Sequence, residues 1–226
     1  MKYSELFYTI QGEGKLIGIP SVFFRTSYCN LRCIWCDTPY TSWNPENKDI
    51  TVEDSVTAIS QFECSHVVIT GGEPFIQGKE LVALCSLLDE QGYHITIETN
   101  ATIFVEVNAD LISMSPKLEN SNPPEDNRFF TRHQRERISP KVIRQFLDSY
   151  DCQVKFVVDS PEDLSEIQTL QQEINIPSET ILLMPQGITP QILREKQAWL
   201  VDLCKENGYR YSPRVHVDIW GEKRGV

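Results

Sequence analysis

The sequence predicts an α/β fold built on a mostly parallel sheet. Short apolar segments alternate along the chain with segments of helical periodicity, which is typical of repeated strand–helix units. Polar and glycine-rich stretches follow directly after several of the apolar segments. Because the carboxyl ends of parallel strands lie on one face, where ligands bind in such folds, we expect these stretches to meet. The sequence therefore predicts one site assembled from several distant segments.

The composition indicates a single globular domain over residues 1–226, in which 40% of the residues are hydrophobic and 10% are aromatic. The formal net charge of −11 argues against a general nucleic-acid-binding surface, which would need a basic face. No stretch has the apolar length of a membrane-spanning helix or the pattern of a signal peptide. We therefore expect a cytoplasmic protein that binds neither nucleic acid nor membrane.

Strands are predicted where short runs of apolar residues lie between polar turns. Residues 1–19 are predicted to contain a polar, glycine-punctuated loop, Tyr8-Thr-Ile-Gln-Gly-Glu-Gly14, that precedes the first strand. The predicted strands cover residues 20–26, 66–70, 94–98, 110–115, 152–158 and 180–184. Residues 213–220 are a further candidate strand near the end of the chain.

Helices are predicted from capping residues and apolar periodicity. The segment Thr51-Val-Glu-Asp54 has a capping pattern, and Pro161 and Pro190 suit the first turn of a helix. Gly92 and Gly208 are placed to end helices. The predicted helices cover residues 51–62, 79–91, 140–150, 160–174 and 189–208.

The stretch 118–139 is polar and lacks clear periodicity, so we predict a mobile loop with a short helical piece. A lid over the site and a surface for a partner protein both remain open as roles for it.

Three closely spaced cysteines form the most informative motif. Cys29, Cys33 and Cys36 follow the pattern Cys-x3-Cys-x2-Cys. A structural zinc site normally takes four protein ligands, whereas a four-iron cluster held by only three cysteines leaves one iron open to a reactive ligand. The spacing favours the iron–sulfur cluster. A zinc-stabilised binding module, with Asp37 as a further ligand, and redox-active thiols stay open as alternatives.

The other cysteines, at 64, 85, 152 and 204, are interpreted as small buried hydrophobic residues. A thiolate-bound cluster also requires a reducing compartment, which supports the cytoplasmic expectation.

Two further features point to a ligand. Arg25 lies near the end of a predicted strand, and a buried arginine needs a carboxylate partner from the protein or from a ligand. Gly71-Gly72-Glu73-Pro74 follows another strand, and glycine lets a backbone approach a ligand closely.

The cysteine spacing, Trp35 before the third cysteine and the Gly-Gly-Glu-Pro segment resemble the radical S-adenosylmethionine superfamily. More narrowly, the chain resembles the 7-carboxy-7-deazaguanine synthases from about residue 4 to residue 117, and more weakly beyond. The matching segments are residues 10–14, Arg25, 29–38, 69–74 and 115–117. This resemblance implies conversion of 6-carboxy-5,6,7,8-tetrahydropterin to 7-carboxy-7-deazaguanine with loss of ammonia.

The resemblance also implies a fold and partners. The fold would be an incomplete, modified (β/α)6 barrel, in a chain that is usually a homodimer. The cofactors would be a [4Fe-4S] cluster, S-adenosylmethionine and Mg²⁺, with electrons from a flavodoxin-like or ferredoxin-like protein. In this superfamily the open iron binds S-adenosylmethionine, whose reductive cleavage starts a radical reaction. Some relatives close the substrate pocket with the C-terminal tail.

Carried over position by position, the resemblance assigns residues to each group. The cluster would take Cys29, Cys33 and Cys36. The pterin would contact Ile10, Gln11, Gly12, Arg25 and Thr70. S-adenosylmethionine would contact Trp35, Cys36, Asp37, Gly72, Ser115, Pro116 and Lys117. Thr38 would bind Mg²⁺, with substrate oxygens and water completing the octahedron, because one neutral hydroxyl is a poor site for this ion.

No protein acid or base is assigned from the sequence. Glu13, Glu73 and His216 are unranked candidates, and His216, in the candidate strand 213–220, is interpreted as a core histidine. A glycyl-radical-activating enzyme shares the cysteine spacing and is the second enzyme hypothesis. The early Gln-Gly-Glu-Gly loop and the Cys-Asp-Thr end of the motif weigh against it.

Overall fold

The computed structural model describes all 226 residues, and one nine-stranded sheet runs through it in the order β3-β1-β2-β4-β5-β6-β7-β8-β9. The strands are β1 Lys2–Ile10, β2 Pro20–Thr26, β3 Lys48–Asp49, β4 His66–Gly71, β5 His94–Thr99, β6 Leu111–Met114, β7 Cys152–Val158, β8 Ile181–Pro185 and β9 Arg210–Tyr211. The helices are α1 Pro39–Ser42, α2 Val52–Ile59, α3 Gly78–Glu90, α4 Phe130–Glu136, α5 Pro140–Ser149, α6 Leu164–Ile174, α7 Pro190–Asn207 and α8 Val215–Trp220.

The predicted fold class is confirmed. Neighbouring strands from β2 through β9 in this order are parallel, and only β1 and β3 pair in the antiparallel direction. Helices connect most of the parallel strands, as crossovers in a parallel sheet require. The edge strands β3 and β9 do not pair with each other, so the sheet stays open.

The two faces of the sheet differ in polarity because successive side chains point to opposite faces. On β5, Ile97 packs into the apolar core that also contains Leu84 of α3, whereas Glu98 lines a cavity. On β7, Phe156 is in that core and Lys155 lines the cavity. The sheet therefore has an apolar face toward the helices and a partly charged face toward the cavity.

The prediction that the first strand begins at Pro20 is wrong, and so is the predicted loop for residues 8–10, because residues 2–10 already form a strand. This strand is β1, which pairs with β2 so that Leu6 lies opposite Phe24 and Phe7 opposite Phe23. Phe7 and Phe23 also stack, with ring centroids 5.3 Å apart. Polar residues in the segment, such as Glu5, interrupt its apolar pattern and conceal the strand from sequence reasoning.

The principal helices confirm the capping signals. Thr51 Oγ1 accepts a hydrogen bond from Asp54 N at 3.0 Å at the start of α2. Gly208 ends α7 with a φ of 69°, in the left-handed region that favours glycine. The helix predicted over 160–174 begins with a 3-10 turn, Pro161–Asp163, before α6.

The prediction of a strand over residues 213–220 is wrong, because this segment forms α8. The alternation Val-His-Val-Asp-Ile suggests a strand, but the backbone forms its hydrogen bonds within the segment, with Asp218 N donating to Arg214 O at 3.1 Å and Gly221 N to Val217 O at 2.9 Å. The 118–139 stretch, predicted as a loop with one short helical piece, contains two, the 3-10 turn Glu119–Ser121 and α4. None of the helices combines the length and apolar character needed to cross a membrane.

Candidate active site

A cavity of about 330 Å³ lies on the polar face of the sheet. It is bordered by the segment after β1, by the ends of the parallel strands and by the C-terminal residues. The loop after β2, residues 29–38, which we call the cysteine loop, also borders it. The structure brings together most of the residues singled out from the sequence. These are Ile10, Gln11, Gly12, Arg25, Cys29, Cys33, Trp35, Cys36, Asp37, Thr38, Thr70, Gly72, Ser115 and Lys117. Pro116 is buried and does not line the cavity.

The three cysteines of the loop share one wall of this cavity. Burial raises the pKa of the Cys29 thiol to about 11 and that of the Cys33 thiol to about 12. Such thiols become thiolates only when a bound cation compensates their charge. No three Cys, His, Asp or Glu side chains surround one ion position. A four-iron cluster takes each thiolate on a different iron, so this donor set fits an iron–sulfur cluster.

Side-chain hydrogen bonds to backbone carbonyl oxygens hold the cysteine loop in place. Arg32 Nη1 donates to the carbonyl oxygens of Cys29 at 2.6 Å and Leu31 at 2.7 Å. Trp43 Nε1 donates to the carbonyl oxygen of Cys33 at 3.0 Å. The loop thus has a defined shape set by groups other than its sulfur atoms.

Gly72 is required by the approach of this loop rather than of a ligand alone. A Cβ added at Gly72 would lie 2.0 Å from the carbonyl oxygen of Tyr28, just before Cys29. The next residue, Glu73, donates its backbone N–H to the same oxygen at 2.8 Å. The glycine therefore lets the end of β4 pack directly against the start of the cysteine loop.

Glu73 is a structural residue. Its carboxylate is fully buried and accepts hydrogen bonds from Thr99 Oγ1 at 2.8 Å, Asn100 N at 2.7 Å and Phe75 N at 3.1 Å. Burial raises its pKa to about 7. These hydrogen bonds join the end of β4 to the end of β5. Glu73 does not line the cavity, which separates it from the other two acid–base candidates, Glu13 and His216.

The cavity lining also carries a buried ionic network that centres on Glu13. Its carboxylate accepts hydrogen bonds from Lys155 Nζ and, at 3.0 Å, from Arg214 Nε. Arg214 Nη2 also donates to Asp37 at 2.5 Å. Burial alone would raise the pKa of Glu13, but the charges of Lys155 and Arg214 outweigh burial and hold that pKa below its usual value. Glu13 is therefore an ionised anchor.

Glu98 is a cavity residue that sequence reasoning did not assign. Its carboxylate accepts hydrogen bonds from Gln11 Nε2 at 3.2 Å and Thr70 Oγ1 at 2.8 Å. It therefore connects two of the residues expected to bind substrate. The available signal was an acidic residue in the mostly apolar run His94-Ile-Thr-Ile-Glu98.

Arg25 is partly neutralised within the protein. Its Nε donates to Glu5 at 2.8 Å, and its guanidinium carbon lies 5.7 Å from the centroid of the Phe7 ring. Its two Nη groups make no hydrogen bond to the protein and remain available at the cavity wall.

The residues expected at the cofactor are grouped around Trp35. Lys117 Nζ lies 5.9 Å from a Trp35 ring centroid and donates to Ser115 Oγ at 2.7 Å. Trp35 Nε1 donates to the carbonyl oxygen of Asn120 at 3.0 Å. Thr38, the residue expected to bind Mg²⁺, has its Oγ1 atom 3.5 Å from Thr41 Oγ1.

The interpretation of His216 as a core histidine is wrong. This residue lies on α8, is half-buried and lines the cavity. Burial lowers its pKa. A Cβ added at Gly12 would lie 2.1 Å from His216 Nδ1, so the glycine accommodates the ring.

The C-terminal residues from Gly221 to Val226 also border the cavity. Arg224 pairs with Glu5 and, at 2.7 Å, with Glu46, and its guanidinium lies 3.7 Å from the Tyr40 ring centroid.

Comparisons with known proteins agree with this geometry. The Radical SAM superfamily profile matches residues 23–123. The chain is 43% identical to a 7-carboxy-7-deazaguanine synthase of Halobacterium salinarum, over 97% of this chain and 90% of that protein. It is 42% identical to a 7-carboxy-7-deazaguanine synthase of Rhodopirellula baltica, over 99% of this chain and 88% of that protein.

Two solved structures are similar in fold. QueE from Escherichia coli superposes with a TM-score of 0.71 at 25% identity, covering 95% of this chain and 94% of that one. Streptococcus suis SuiB bound to S-adenosylmethionine has a TM-score of 0.56 at 16% identity, covering 84% of this chain and 49% of that one.

Proposed function

The chain belongs to the 7-carboxy-7-deazaguanine synthase family of radical S-adenosylmethionine enzymes, and we propose that it converts 6-carboxy-5,6,7,8-tetrahydropterin to 7-carboxy-7-deazaguanine with loss of ammonia. The observation that supports this most strongly is that three cysteines share one cavity with Arg25, Gln11 and Thr70. Membership of this family sets aside the zinc-module and glycyl-radical-activating alternatives.

The radical S-adenosylmethionine family implies a [4Fe-4S] cluster and S-adenosylmethionine. When bound, these groups supply the one-electron reduction and the hydrogen-atom transfer that begin and end the rearrangement. Cys29, Cys33 and Cys36 would hold the cluster. The thiols of Cys29 and Cys33, whose pKa values burial raises, would lose protons as iron binds, so cluster assembly couples to proton release.

In this proposal the pterin binds along the polar side of the cavity. The free Nη groups of Arg25 pair with its carboxylate in a charge-assisted contact. The aminopyrimidinone ring presents adjacent N–H donors, which match the acceptor oxygens of Glu98. Gln11 and Thr70 already orient that carboxylate and would border the ring. Ile10 and Gly12 complete the contact surface for the pterin.

The cofactor and metal residues keep the roles expected from the family resemblance. S-adenosylmethionine would be contacted by Trp35, Cys36, Asp37, Gly72, Ser115, Pro116 and Lys117. Pro116, which is buried between two cavity residues, would act by shaping the backbone. Thr38 would contribute one ligand to Mg²⁺, with substrate oxygens and water supplying the others. The ion would then act as a template and as electrostatic support.

The proposal extends to partners and setting. Reduction of the cluster requires a one-electron donor, for which a flavodoxin-like or ferredoxin-like protein is suited. We place the enzyme in the reducing cytoplasm, where its free cysteines would persist as thiols, and propose a homodimer.

Anaerobic turnover tests the function. Protein reconstituted with iron and sulfide is mixed with dithionite, S-adenosylmethionine, Mg²⁺ and 6-carboxytetrahydropterin, and products are identified by mass. We expect a product of 7-carboxy-7-deazaguanine mass that is lost in Cys33→Ala. Formation of 5′-deoxyadenosine without deazaguanine would contradict the substrate. Absence of both products from protein with a full cluster would contradict the reaction class.

A further inference from the structure

The cysteine loop has an outer side that faces away from the cavity. Cys29, Cys33 and Cys36 line the cavity, but Arg32 and Ile34 do not. The Ile34 side chain is 54% exposed, although its neighbour Cys33 is buried. The outer side of the loop is therefore the place where solvent, or another protein, comes within one residue of a cluster ligand.

The 118–139 stretch is attached to this outer side by specific hydrogen bonds. Arg32 N donates to Nδ1 of the buried His133 at 2.9 Å, and Ile34 N donates to the carbonyl oxygen of Ser121 at 2.9 Å. His133 Nε2 lies 3.0 Å from Ser121 Oγ, which joins the two attachment points. The stretch thus extends the outer surface of the loop.

Phe129 links the loop to the arginines of this stretch. The guanidinium carbons of Arg32 and Arg128 lie 5.0 and 4.6 Å from its ring centroid. Its ring also meets Trp43 edge-on at 5.8 Å, and Trp43 donates to the carbonyl oxygen of Cys33. Arg128 is therefore connected through packed rings to the backbone of a cluster ligand.

Positive charge is concentrated here in an otherwise acidic chain. Residues 128–137 contain four arginines and one acidic residue, whereas the whole chain has a net charge of −11. Arg132 is 57% exposed and Arg135 is 71% exposed, and both pair with Glu136. The acidic residues Glu125 and Asp126 precede the run.

We propose that this surface, which we name the arginine face, docks an acidic one-electron carrier protein. The arginine face consists of Arg32, Ile34, Arg128, Phe129, Arg132 and Arg135. The inference rests on the proposed function, which requires such a donor. The net negative charge of the chain repels an acidic carrier elsewhere, so the arginine face selects the orientation that brings the carrier to the cysteine loop.

The test compares a protein donor with a small one. Arg128→Glu/Arg132→Glu/Arg135→Glu is assayed with flavodoxin hydroquinone and, separately, with dithionite, which needs no docking surface. We expect kcat/KM for flavodoxin to fall at least ~10-fold at low ionic strength, with dithionite-driven turnover within about twofold of wild type. The matched control is Arg144→Glu/Lys205→Glu/Arg210→Glu, whose residues do not line the cavity and which makes the same charge change.

Binding supplies a readout independent of turnover. The Kd of oxidised flavodoxin for the holoenzyme should rise in the triple variant, and its dependence on salt should weaken because fewer charges take part. The neutral variant Arg128→Gln/Arg132→Gln/Arg135→Gln should be intermediate.

The contradicting outcomes are distinct. Equal flavodoxin kinetics in wild type and the triple variant, or equal losses in the triple variant and its control, would overturn the docking surface. Loss of dithionite-driven turnover together with cluster absorbance in the triple variant would also overturn it, by showing that these arginines support the loop. Failure of wild type with dithionite would instead contradict the proposed function.

Discussion

The two walls of the cavity are stabilised in different ways. The cysteine wall, residues 29–38, contains Cys29 and Cys33, whose thiols have pKa values raised by burial and stay protonated until a cation binds. The ionic wall, formed by Glu13, Lys155 and Arg214, is already paired within the protein. One wall therefore needs a metal to complete it, whereas the other is complete in the free enzyme.

This difference indicates a division of labour. Fixed charges that are already paired need no reorganisation when a substrate binds, which is the property of a preorganised polar site. The cysteine wall instead has its backbone held by Arg32, Trp43 and the close contact at Gly72, and its sulfur atoms wait for iron. The hydrogen bond from Arg214 to Asp37 links the two walls, but a substitution away from this pair should disturb one wall more than the other.

Arg214→Leu should have the largest effect on stability. It leaves Lys155 as the one cation hydrogen-bonded to the buried Glu13 carboxylate and removes the guanidinium from Asp37, and breaking a buried pair costs about 3–5 kcal/mol. We expect the free energy of unfolding, measured by urea denaturation, to fall by that amount. The exposed Arg194→Leu is the control, for which we expect about 0.5 kcal/mol or less. Equal effects of the two substitutions would show that the ionic wall does not stabilise the fold.

Gly72→Ala should disturb the cysteine wall and spare the ionic wall. The added methyl group would meet the carbonyl oxygen of Tyr28, and overpacking of this kind costs about 1–3 kcal/mol. We expect a weaker cluster absorbance per chain. A cost near the upper end of that range, expressed in the activation barrier, would reduce turnover roughly 100-fold.

The control for Gly72→Ala is Gly78→Ala, where the Cβ would lie 3.0 Å from a methyl group of Val105 that can move. Full cluster content and wild-type turnover in Gly72→Ala would contradict the role of the close contact.

Glu98→Gln should affect substrate binding and leave the cluster unchanged. The substitution keeps oxygen near Gln11 and Thr70 but removes the charge that would accept the N–H groups of the pterin. A hydrogen bond to a charged group contributes about 1.5–3 kcal/mol, so KM for the pterin should rise about 10-fold or more. The exposed Glu90→Gln should leave KM unchanged. An unchanged KM in Glu98→Gln would place the ring elsewhere in the cavity.

His133 should make a smaller, pH-dependent contribution at the back of the cysteine wall. Burial, with the charges of Arg137, Lys117 and Arg32, lowers its pKa to about 4. Below pH ~6.5 the unfolded state binds a proton that the folded state does not accept until about pH 4, so this contribution to stability is lost as the pH falls through that range.

The pH dependence of urea denaturation checks this sign. Between pH 7 and pH 5, wild type should lose more stability than His133→Gln, which has no titrating side chain at position 133. Parallel pH dependences of the two proteins would exclude His133 as the source.

How much of the site could be predicted from the sequence depended on how close its residues lie along the chain. Cys29, Cys33 and Cys36 lie in one short segment, so their chemistry was readable locally, and the apolar runs predicted the central strands. The ionic wall could not be found this way, because Glu13 and Arg214 are 201 positions apart and Glu13 and Lys155 are 142 apart. Sequence reasoning also missed β1, whose polar residues interrupt its pattern, and read α8 as a strand from its alternation.

The measurement that tests most directly whether radical generation and substrate binding are carried by separate residues compares Arg25→Gln with Cys33→Ala. Cluster absorbance, 5′-deoxyadenosine and deazaguanine are quantified in the same anaerobic dithionite-driven reaction. We expect Arg25→Gln to retain the cluster and to form 5′-deoxyadenosine with little deazaguanine, and Cys33→Ala to form neither compound. Wild-type deazaguanine formation by Arg25→Gln, or loss of its cluster, would contradict separate roles for the cysteine wall and the substrate-binding residues.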